Sequence, residues 1–433
     1  MKIQIVGGGG RAHTTAWALG RRCSDLTGMA CLPGNAGIGM EKLQNEELVT
    51  CVPLAATDIN GQLAFAKAYK PDLTICSEDD PLALGIVDLF QANGLRIWGP
   101  TRKAAKFEWS KIWAWKFMTK YGIPTPEAQD CYSGNEALVA AKRFDWKCAV
   151  KVDGLAFGKG VLVCHTESEV IHAVYRIFEK NEFGEAGKAV LVQKLVEGKE
   201  VSFHFLCSGK TAVVFQSSKD HKKGLDGNLG DNTGGMGTIS PSPDVEPEAY
   251  ASFGDKIMRK WLKGCEEEGI DFRGILYPGV MLTNEGPMVL EFNARLGDPE
   301  AQVYLTRLKT SLLTLIEGSL NGEEFRPRDL IWSPDLSVCV MMSAPGYPGK
   351  YDKGKIITGL EEVAKLPNRK VFHSGTTLQN GQVVTNGGRV LGVTAWANTL
   401  ERARALAYEA VHELKFEGGQ YFRRDIGGLP LWE

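Results

Sequence analysis

Met288-Val289-Leu290-Glu291-Phe292-Asn293, followed by Ala294-Arg295-Leu296-Gly297-Asp298-Pro299-Glu300, is the stretch on which the reading of this chain turns. The first half has the pattern of a strand, and Gly-Asp-Pro is the turn that stops it. Alternation puts Glu291 and Asn293 on one face, where both offer oxygen atoms to a common point. Two hard oxygen donors of this kind suit Mg²⁺, which takes one or two protein groups and completes its shell with water and phosphate. A guanidinium and two carboxylates follow at once. A nucleotide-dependent enzyme needs that charge set where phosphate meets a small polar substrate. An ordinary edge strand followed by a charged turn has the same spelling, so the segment needs its surroundings.

Working outward, 433 residues are enough for two to four domains, each with a substantial core. Hydrophobic residues at 43% and charged residues at 24% are those of a soluble globular enzyme. Fifty basic against 52 acidic residues leave a formal charge of −2, which advertises neither a nucleic acid nor a membrane as partner. The ten cysteines are scattered without a CxxC pair, as expected of reduced thiols in the cytoplasm. No apolar run is long enough to span a bilayer, and Lys2-Ile-Gln-Ile-Val6 reads as a strand, not a signal peptide.

Short apolar runs alternate with helical patterns over the first hundred residues. Strands are expected at Ile3–Val6, Met29–Leu32 and Leu73–Cys76, with helices from His13 to Arg21 and from Leu82 to Asn93, which implies βαβ units around a parallel sheet. A helical stretch from Lys103 to Tyr121 runs to the breaker Gly122-Ile-Pro124-Thr-Pro126. Beyond it come strands at Cys148–Val152, Val161–Cys164 and Ala189–Lys194, and helices near 135–144 and 167–179. Lys219 to Gly237 reads as a long Gly/Asp/Asn-rich loop, functional or mobile. A helix from Tyr250 to Glu268, strands near 274–282 and 288–293, and a helix from Ala301 to Glu317 follow. The last hundred residues begin near Asp335, with a strand at Ser337–Met342 and a closing helix over Leu400–Leu414.

Gly7-Gly8-Gly9-Gly10-Arg11 lies between a strand and a helix, the setting for phosphate at a helix N-terminus. A dinucleotide fold needs an acidic residue at the end of the second strand. Leu32-Pro33-Gly34-Asn35-Ala36-Gly37 has none, which favours a sugar phosphate or a merely tight turn. Asp153-Gly154-Leu-Ala-Phe-Gly158-Lys159-Gly160 lacks the order of a Walker A loop and is followed by a strand. A glycine flap between two strands suits a triphosphate beneath it, with Lys151 as a point charge; a plain β-hairpin is the alternative. Gln193-Lys194-Leu195-Val196 runs out of a strand toward Glu200, offering backbone groups to a base and a carboxylate to ribose, or forming only a charged loop. Asp220-His221-Lys222 and Asn232-Thr-Gly-Gly235-Met-Gly237 flank the long loop. The histidine is a base or a solvated side chain, and the glycine run supplies N–H groups for an anion. No Ser-His-Asp or Cys-His arrangement suggests covalent catalysis.

Taken in order, these motifs resemble the ATP-grasp ligases and, more narrowly, the phosphoribosylamine–glycine ligase family. The resemblance runs nearly end to end through Gly9-Gly10-Arg11-x-His13, Pro33-Gly-Asn-Ala-Gly37, Gly99-Pro-Thr101, Glu108-x-Ser110-Lys111, Lys151-x-Asp-Gly-Leu-Ala-x-Gly-Lys-Gly160 and Asp220-His-Lys222. It continues through Asn232-Thr-Gly-Gly-Met-Gly237, the Glu291–Glu300 stretch, Gly346-Tyr-Pro-Gly349, Phe372-His-x-Gly-Thr376, Arg389-Val-Leu-Gly-Val-Thr394 and Tyr421-Phe-Arg-Arg-Asp-Ile-Gly427.

The resemblance implies an α/β and α+β multidomain fold. A Rossmann-like parallel sheet would occupy 1–103, a two-lobed ATP-grasp core 104–326 with a flap at about 124–195, and a small C-terminal α+β domain 327–433. It implies that ATP, glycine and 5-phosphoribosylamine give glycinamide ribonucleotide through glycyl phosphate, in a monomer or weak homodimer. Lys111, Lys151, Gly158, Lys159, Gly160 and Glu200 would hold ATP, with Gln193, Lys194 and Leu195 against adenine. Glu291 and Asn293 would hold Mg²⁺ or Mn²⁺. Arg295 would stabilise the transferring phosphoryl group, and Asp298, Asp220, His221, Lys222 and Gly235 would place glycine. Gly8, Gly9, Gly10, Arg11, Asn35 and Gly37 would receive the phosphoribosyl group. The chain departs from the family where Ala12 replaces a Glu, where Gln193 and Lys194 replace acidic residues, and where Ser77-Glu78-Asp79-Asp80-Pro81 replaces Gly-Pro-Glu-x-Pro. A paralogue joining another amino acid or amine is the alternative enzyme, and a nucleotide-binding protein without catalysis the alternative class.

Overall fold

Lys2–Gly7 lies at the centre of a five-stranded parallel sheet ordered Thr50–Cys51, Gly28–Pro33, Lys2–Gly7, Leu73–Cys76, Ile97–Trp98. The structure is a computed structural model and describes residues 1–155, 160–246, 250 and 253–428. Strands covered on both faces need apolar runs, which Ile3, Ile5, Val6, Leu73, Ile75 and Cys76 supply around the buried polar residues Gln4 and Thr74. The first helix, Gly10–Arg22, starts directly after the glycine loop with Gly9 as its N-cap.

A second unit is a four-stranded antiparallel sheet ordered Ala128–Cys131, Val190–Lys194, Cys148–Val152, Val161–Cys164. Helices Gly134–Arg143 and Glu167–Val174 share its core, each started by a hydroxyl cap from Ser133 or Thr166. The facing lobe is built on the long strand Arg273–Thr283, which pairs with Lys199–Ser202, Phe205–Ser208 and Gly286–Asn293.

The last pairing contains a β-bulge. Gly279 faces Glu291 and Val280 faces Val289, so Leu290 is the extra residue. Val289 and Phe292 are both buried in the core although three positions apart, which strict alternation forbids. The bulge changes the phase between them. It leaves Glu291 and Asn293 facing away from the Val289–Phe292 core.

The C-terminal sheet runs Lys219–Asp220, Gly237–Ser240, Leu336–Ser343, Arg389–Ala397, Arg369–His373, all antiparallel, with helix Leu400–Glu413 packed on it. Its first two strands come from the segment expected to be a loop. That segment also holds the hairpin Lys223–Leu225 with Leu229–Asn232, so 219–237 is a folded β element. Three expected helices are divided. Gly85, at φ +89°, separates Asp79–Leu84 from Ile86–Ala92. Ser110 leaves helical geometry to cap Lys111–Lys120. Residues 308–311 separate Glu300–Arg307 from Leu312–Asn321. The expected helix from Tyr250 falls partly outside the described residues and continues as Arg259–Glu267. Every residue of Glu300–Arg307 is buried, against the first helix on one side and the C-terminal sheet on the other. No helix among the described residues is long and apolar enough to cross a membrane.

Candidate active site

A cavity of about 700 Å³ runs between the parallel-sheet unit, the antiparallel unit, the facing lobe and the C-terminal sheet. At one end it is lined by Gln193, Lys194, Leu195 and Val196, in the middle by Lys151, Glu200, Lys222, Glu291 and Asn293, and at the other end by Arg11, Glu78, Asp79, Asp298 and Arg389. Twelve of the expected site residues therefore share one continuous wall: Arg11, Lys151, Gln193, Lys194, Leu195, Glu200, Asp220, Lys222, Glu291, Asn293, Arg295 and Asp298. Gly158 and Lys159 lie outside the described residues. Gly160 accepts a hydrogen bond from the Val152 amide at 2.9 Å, at the root of the glycine loop.

In the middle of the cavity, lysines crowd two carboxylates. Lys111 Nζ lies 3.2 Å from Glu291 Oε2, and Lys222 Nζ 2.6 Å from Glu200 Oε1. Burial alone would raise the Glu291 carboxyl, but Lys111, Lys151 and Lys222 together hold it well below the usual carboxylate range. It is an ionised carboxylate facing the cavity. Lys151 Nζ donates at 2.8 Å to the carbonyl of Leu290, the bulge residue, whose turn out of the ladder presents that carbonyl. Burial pulls the Lys151 ammonium down to about 8. Asn293 donates through Nδ2 to the Tyr277 carbonyl at 3.3 Å, which fixes the amide with Oδ1 toward Arg295. A hard anionic oxygen beside an oriented amide oxygen suits Mg²⁺ shared with phosphate.

Arg295 is half-buried, and Glu108 lies 2.9 Å from its NH2 group. Burial opposes its charge, while Glu108 and Asp79 raise its basicity above the ordinary value. Its Nε has no partner among the described residues. The Gly297–Pro299 turn is held from two sides. His204 Nε2 accepts from the Gly297 amide at 2.9 Å, and Arg389 donates to the Asp298 carbonyl at 2.6 Å and to that of Gly234, also at 2.6 Å. Burial would raise the Asp298 carboxyl, but Arg389 and Arg11 hold it below its usual range. Asp220 goes the other way, pushed well up by burial and by Glu300. Lys194 and Leu195 spend their amides on the carbonyls of Glu127 and Lys147, at 2.9 and 3.1 Å. Glu78, Glu108, Tyr277, Glu300 and Arg389 were not singled out from the sequence. Glu78, Glu108, Glu300 and Arg389 carried a signal as members of motifs, and Tyr277 carried none.

Three expected substrate residues have other work. Asn35 donates at 2.8 Å to the carbonyls of both Gly8 and His373, and its Oδ1 accepts from Ile38. Its amide is consumed in joining the first and last units. A Cβ on Gly37 would fall 2.3 Å from the His373 ring and 2.6 Å from that of His13, so the glycine makes room for two packed histidines. His221 donates from Nδ1 to the Gly237 carbonyl at 3.1 Å and accepts from the Gly427 amide at 3.2 Å. Burial and Arg423 push it down to about 4, so it is a neutral structural histidine, not a base. Replacing His221 with Ala leaves the Gly427 amide unpartnered, and we expect a stability loss of about 1–3 kcal/mol in urea unfolding. Turnover per folded molecule should stay within about twofold, since side chains away from the reacting atoms rarely carry rate. Gly10 and Gly235 pack at the same end. A Cβ on Gly10 would meet Gln302 at 2.5 Å and Ser374 at 2.7 Å, and one on Gly235 would meet Asp220 at 2.6 Å. Ala12 is fully buried in the first core and is not part of the cavity wall, whereas Glu78, Asp79 and Asp80 are.

Comparison with known proteins agrees across the chain. Residues 1–108 match the N domain, 109–301 the ATP-grasp (A) domain and 337–428 the C domain of phosphoribosylglycinamide synthetase. The phosphoribosylamine–glycine ligase of Caldanaerobacter subterraneus subsp. tengcongensis is 40% identical over 427 residues, covering 98% of this chain and 99% of that one. That of Ralstonia nicotianae is 41% identical over 429 residues, covering 99% of each. The crystal structure of the Thermotoga maritima phosphoribosylamine–glycine ligase superposes with a TM-score of 0.81 at 31% identity, covering 99% of this chain and all of that one.

Proposed function

This chain belongs to the phosphoribosylglycinamide synthetase family, and from that premise we propose that it joins glycine to 5-phosphoribosylamine with ATP, giving glycinamide ribonucleotide, ADP and phosphate for purine biosynthesis. The observation that carries this reading is the single cavity linking Gln193–Val196, the Lys151–Glu291–Asn293 cluster and the Arg11–Asp298 end. ATP lies along the first two, its base against Gln193–Val196 and its ribose at Glu200. Its phosphates lie by Lys111 and Lys151.

Glycine's carboxylate attacks the γ-phosphate to form glycyl phosphate, and the amine of the second substrate then displaces phosphate. No protein nucleophile is required, because such a site works by positioning and charge. Arg295, held by Glu108, faces the transferring phosphoryl group. Asp298, kept ionised by Arg389 and Arg11, takes glycine's ammonium, with Asp220 and Lys222 beside it. Gly8–Arg11 takes the phosphoribosyl group. Glu291 and Asn293 would hold Mg²⁺ (or Mn²⁺), which would supply positive charge against the charge developing on the phosphates. The division at 103 and 326, a flap at 124–195, a cytoplasmic setting and a monomer or weak homodimer complete the proposal.

A substrate panel scored by ADP release and product mass tests it. ADP that needs both glycine and phosphoribosylamine supports the reading. Release with another amine supports a paralogue, and none under any combination leaves a binding protein. A pH series adds a second test. Lys151 is protonated in the free site below about 8, and phosphate favours its charged form. The Kd for MgATP should therefore rise as pH climbs from 8 to 9, by up to about tenfold per unit. Lys151→Arg, which stays charged, should flatten that slope.

A further inference from the structure

The amides that should receive an anion already hold one. Gly8 N and Gly9 N, at the entry to the first helix, both donate to Glu78 Oε1, at 3.3 and 3.4 Å. These bonds are long for N–H···O contacts and so are weak and easily exchanged. Glu78 Oε2 lies 3.7 Å from Arg11 NH2, which shares Asp79 at the same distance. A Cβ built on Gly9 would fall 3.5 Å from Glu78 Oε1 and 3.8 Å from Asp298 Oδ2, so two carboxylates flank one glycine turn. Ser374 Oγ, buried without a partner among the described residues, points at this turn 2.7 Å from the Cβ position of Gly10. The turn thus has donors in place, one hydroxyl unused, and the chain's own carboxylate on the amides.

We propose that Glu78 is a specificity-determining residue that occupies the anion-accepting turn as an internal competitor, and that it must leave Gly8 and Gly9 before a phosphorylated amine can bind. The inference rests on the proposed phosphoribosyl site at Gly8–Arg11. A phosphate entering beside a stationary carboxylate would lose on the order of a thousandfold in affinity to repulsion at contact distance. Weak bonds and a salt-bridge partner in Arg11 give the side chain somewhere to go, which lowers that figure. The device favours ligands that bring a phosphate strong enough to displace Glu78 and disfavours weakly anionic ones.

The test uses ribose 5-phosphate, which carries the phosphate but no amine and cannot react. Calorimetric titration of the full-length enzyme should give a Kd at least about tenfold lower for Glu78→Gln than for wild type, with inorganic phosphate shifting in the same direction. Glu78→Ala, which vacates the amides altogether, has to move affinity the same way and stands in should the glutamine variant not fold. The KM for phosphoribosylamine should fall in parallel. Equal or weaker binding in the substituted enzymes overturns the proposal. An active wild type with no gain in either variant removes the competitor and leaves the ligase reading. A wild type inert toward glycine and phosphoribosylamine whose variants nevertheless gain does the reverse.

Discussion

Replacing Glu291 with Ala lowers glycine- and amine-dependent ADP release by about a thousandfold or more. Removing a single preorganised electrostatic partner of a transition state costs on this order. Here the carboxylate is the ionised member of the Glu291–Asn293 pair, and Lys111, Lys151 and Lys222 are arranged around it. Its loss removes an oxygen ligand and frees three cations from their counter-charge. Raising the Mg²⁺ concentration should recover little of the rate, because the site, not the ion, is missing. A rate within threefold of wild type at ordinary Mg²⁺ would sink the assignment of Glu291. The lysines need their own control. Glu291→Gln keeps the shape and one oxygen, and should fall between wild type and Glu291→Ala.

Arg295→Met should show two separable losses. Turnover drops by about a hundredfold to a thousandfold through kcat, with a smaller change in the KM for glycine, as expected for a group that acts on the transferring phosphoryl charge. Stability drops by about 3–5 kcal/mol, because Glu108, 8% exposed and 2.9 Å from the guanidinium, is left as a buried unpaired carboxylate. The double substitution Arg295→Met with Glu108→Gln tells the two apart. The glutamine can still accept from the Ala294 amide, which Glu108 Oε2 now does at 2.7 Å. Most of the stability should return and none of the turnover. Recovery of turnover in the double variant would make Arg295 a structural residue.

Much of this molecule is legible from its letters, and what is not has a common cause. The parallel sheet follows from apolar runs spaced by helical patterns, and Lys151, Glu291 and Arg295 announce themselves by position on strands and turns. Breaks inside helices escape periodicity, because Gly85 and Ser110 do not interrupt the apolar spacing. They act through a left-handed φ and a capping hydroxyl. The 219–240 segment escapes because its partner strand, Leu336–Ser343, lies about a hundred residues on. Asn35 and His221 look like site residues because short polar side chains near glycines usually are. Their true partners stand 338 and 206 positions away in the chain. No local reading sees a hydrogen bond of that span. Arg389 is missed for the same reason, since it reaches the turn at Asp298 from the last unit.

The bulge at Leu290 sets a counting rule for this protein. A strand carries its side chains in two alternating tracks, and one surplus residue switches the tracks. Deleting Leu290 would keep every functional letter, place Glu291 next to Val289 and leave Phe292 two places from it, so plain alternation would still seat Val289 and Phe292 inward and Glu291 and Asn293 outward. What such a deletion takes away is the carbonyl that Lys151 holds at 2.8 Å. Losing Phe292 instead, with the bulge kept, turns Asn293 to the side opposite Glu291: a frameshift in three dimensions, felt without any change of reading frame in the gene.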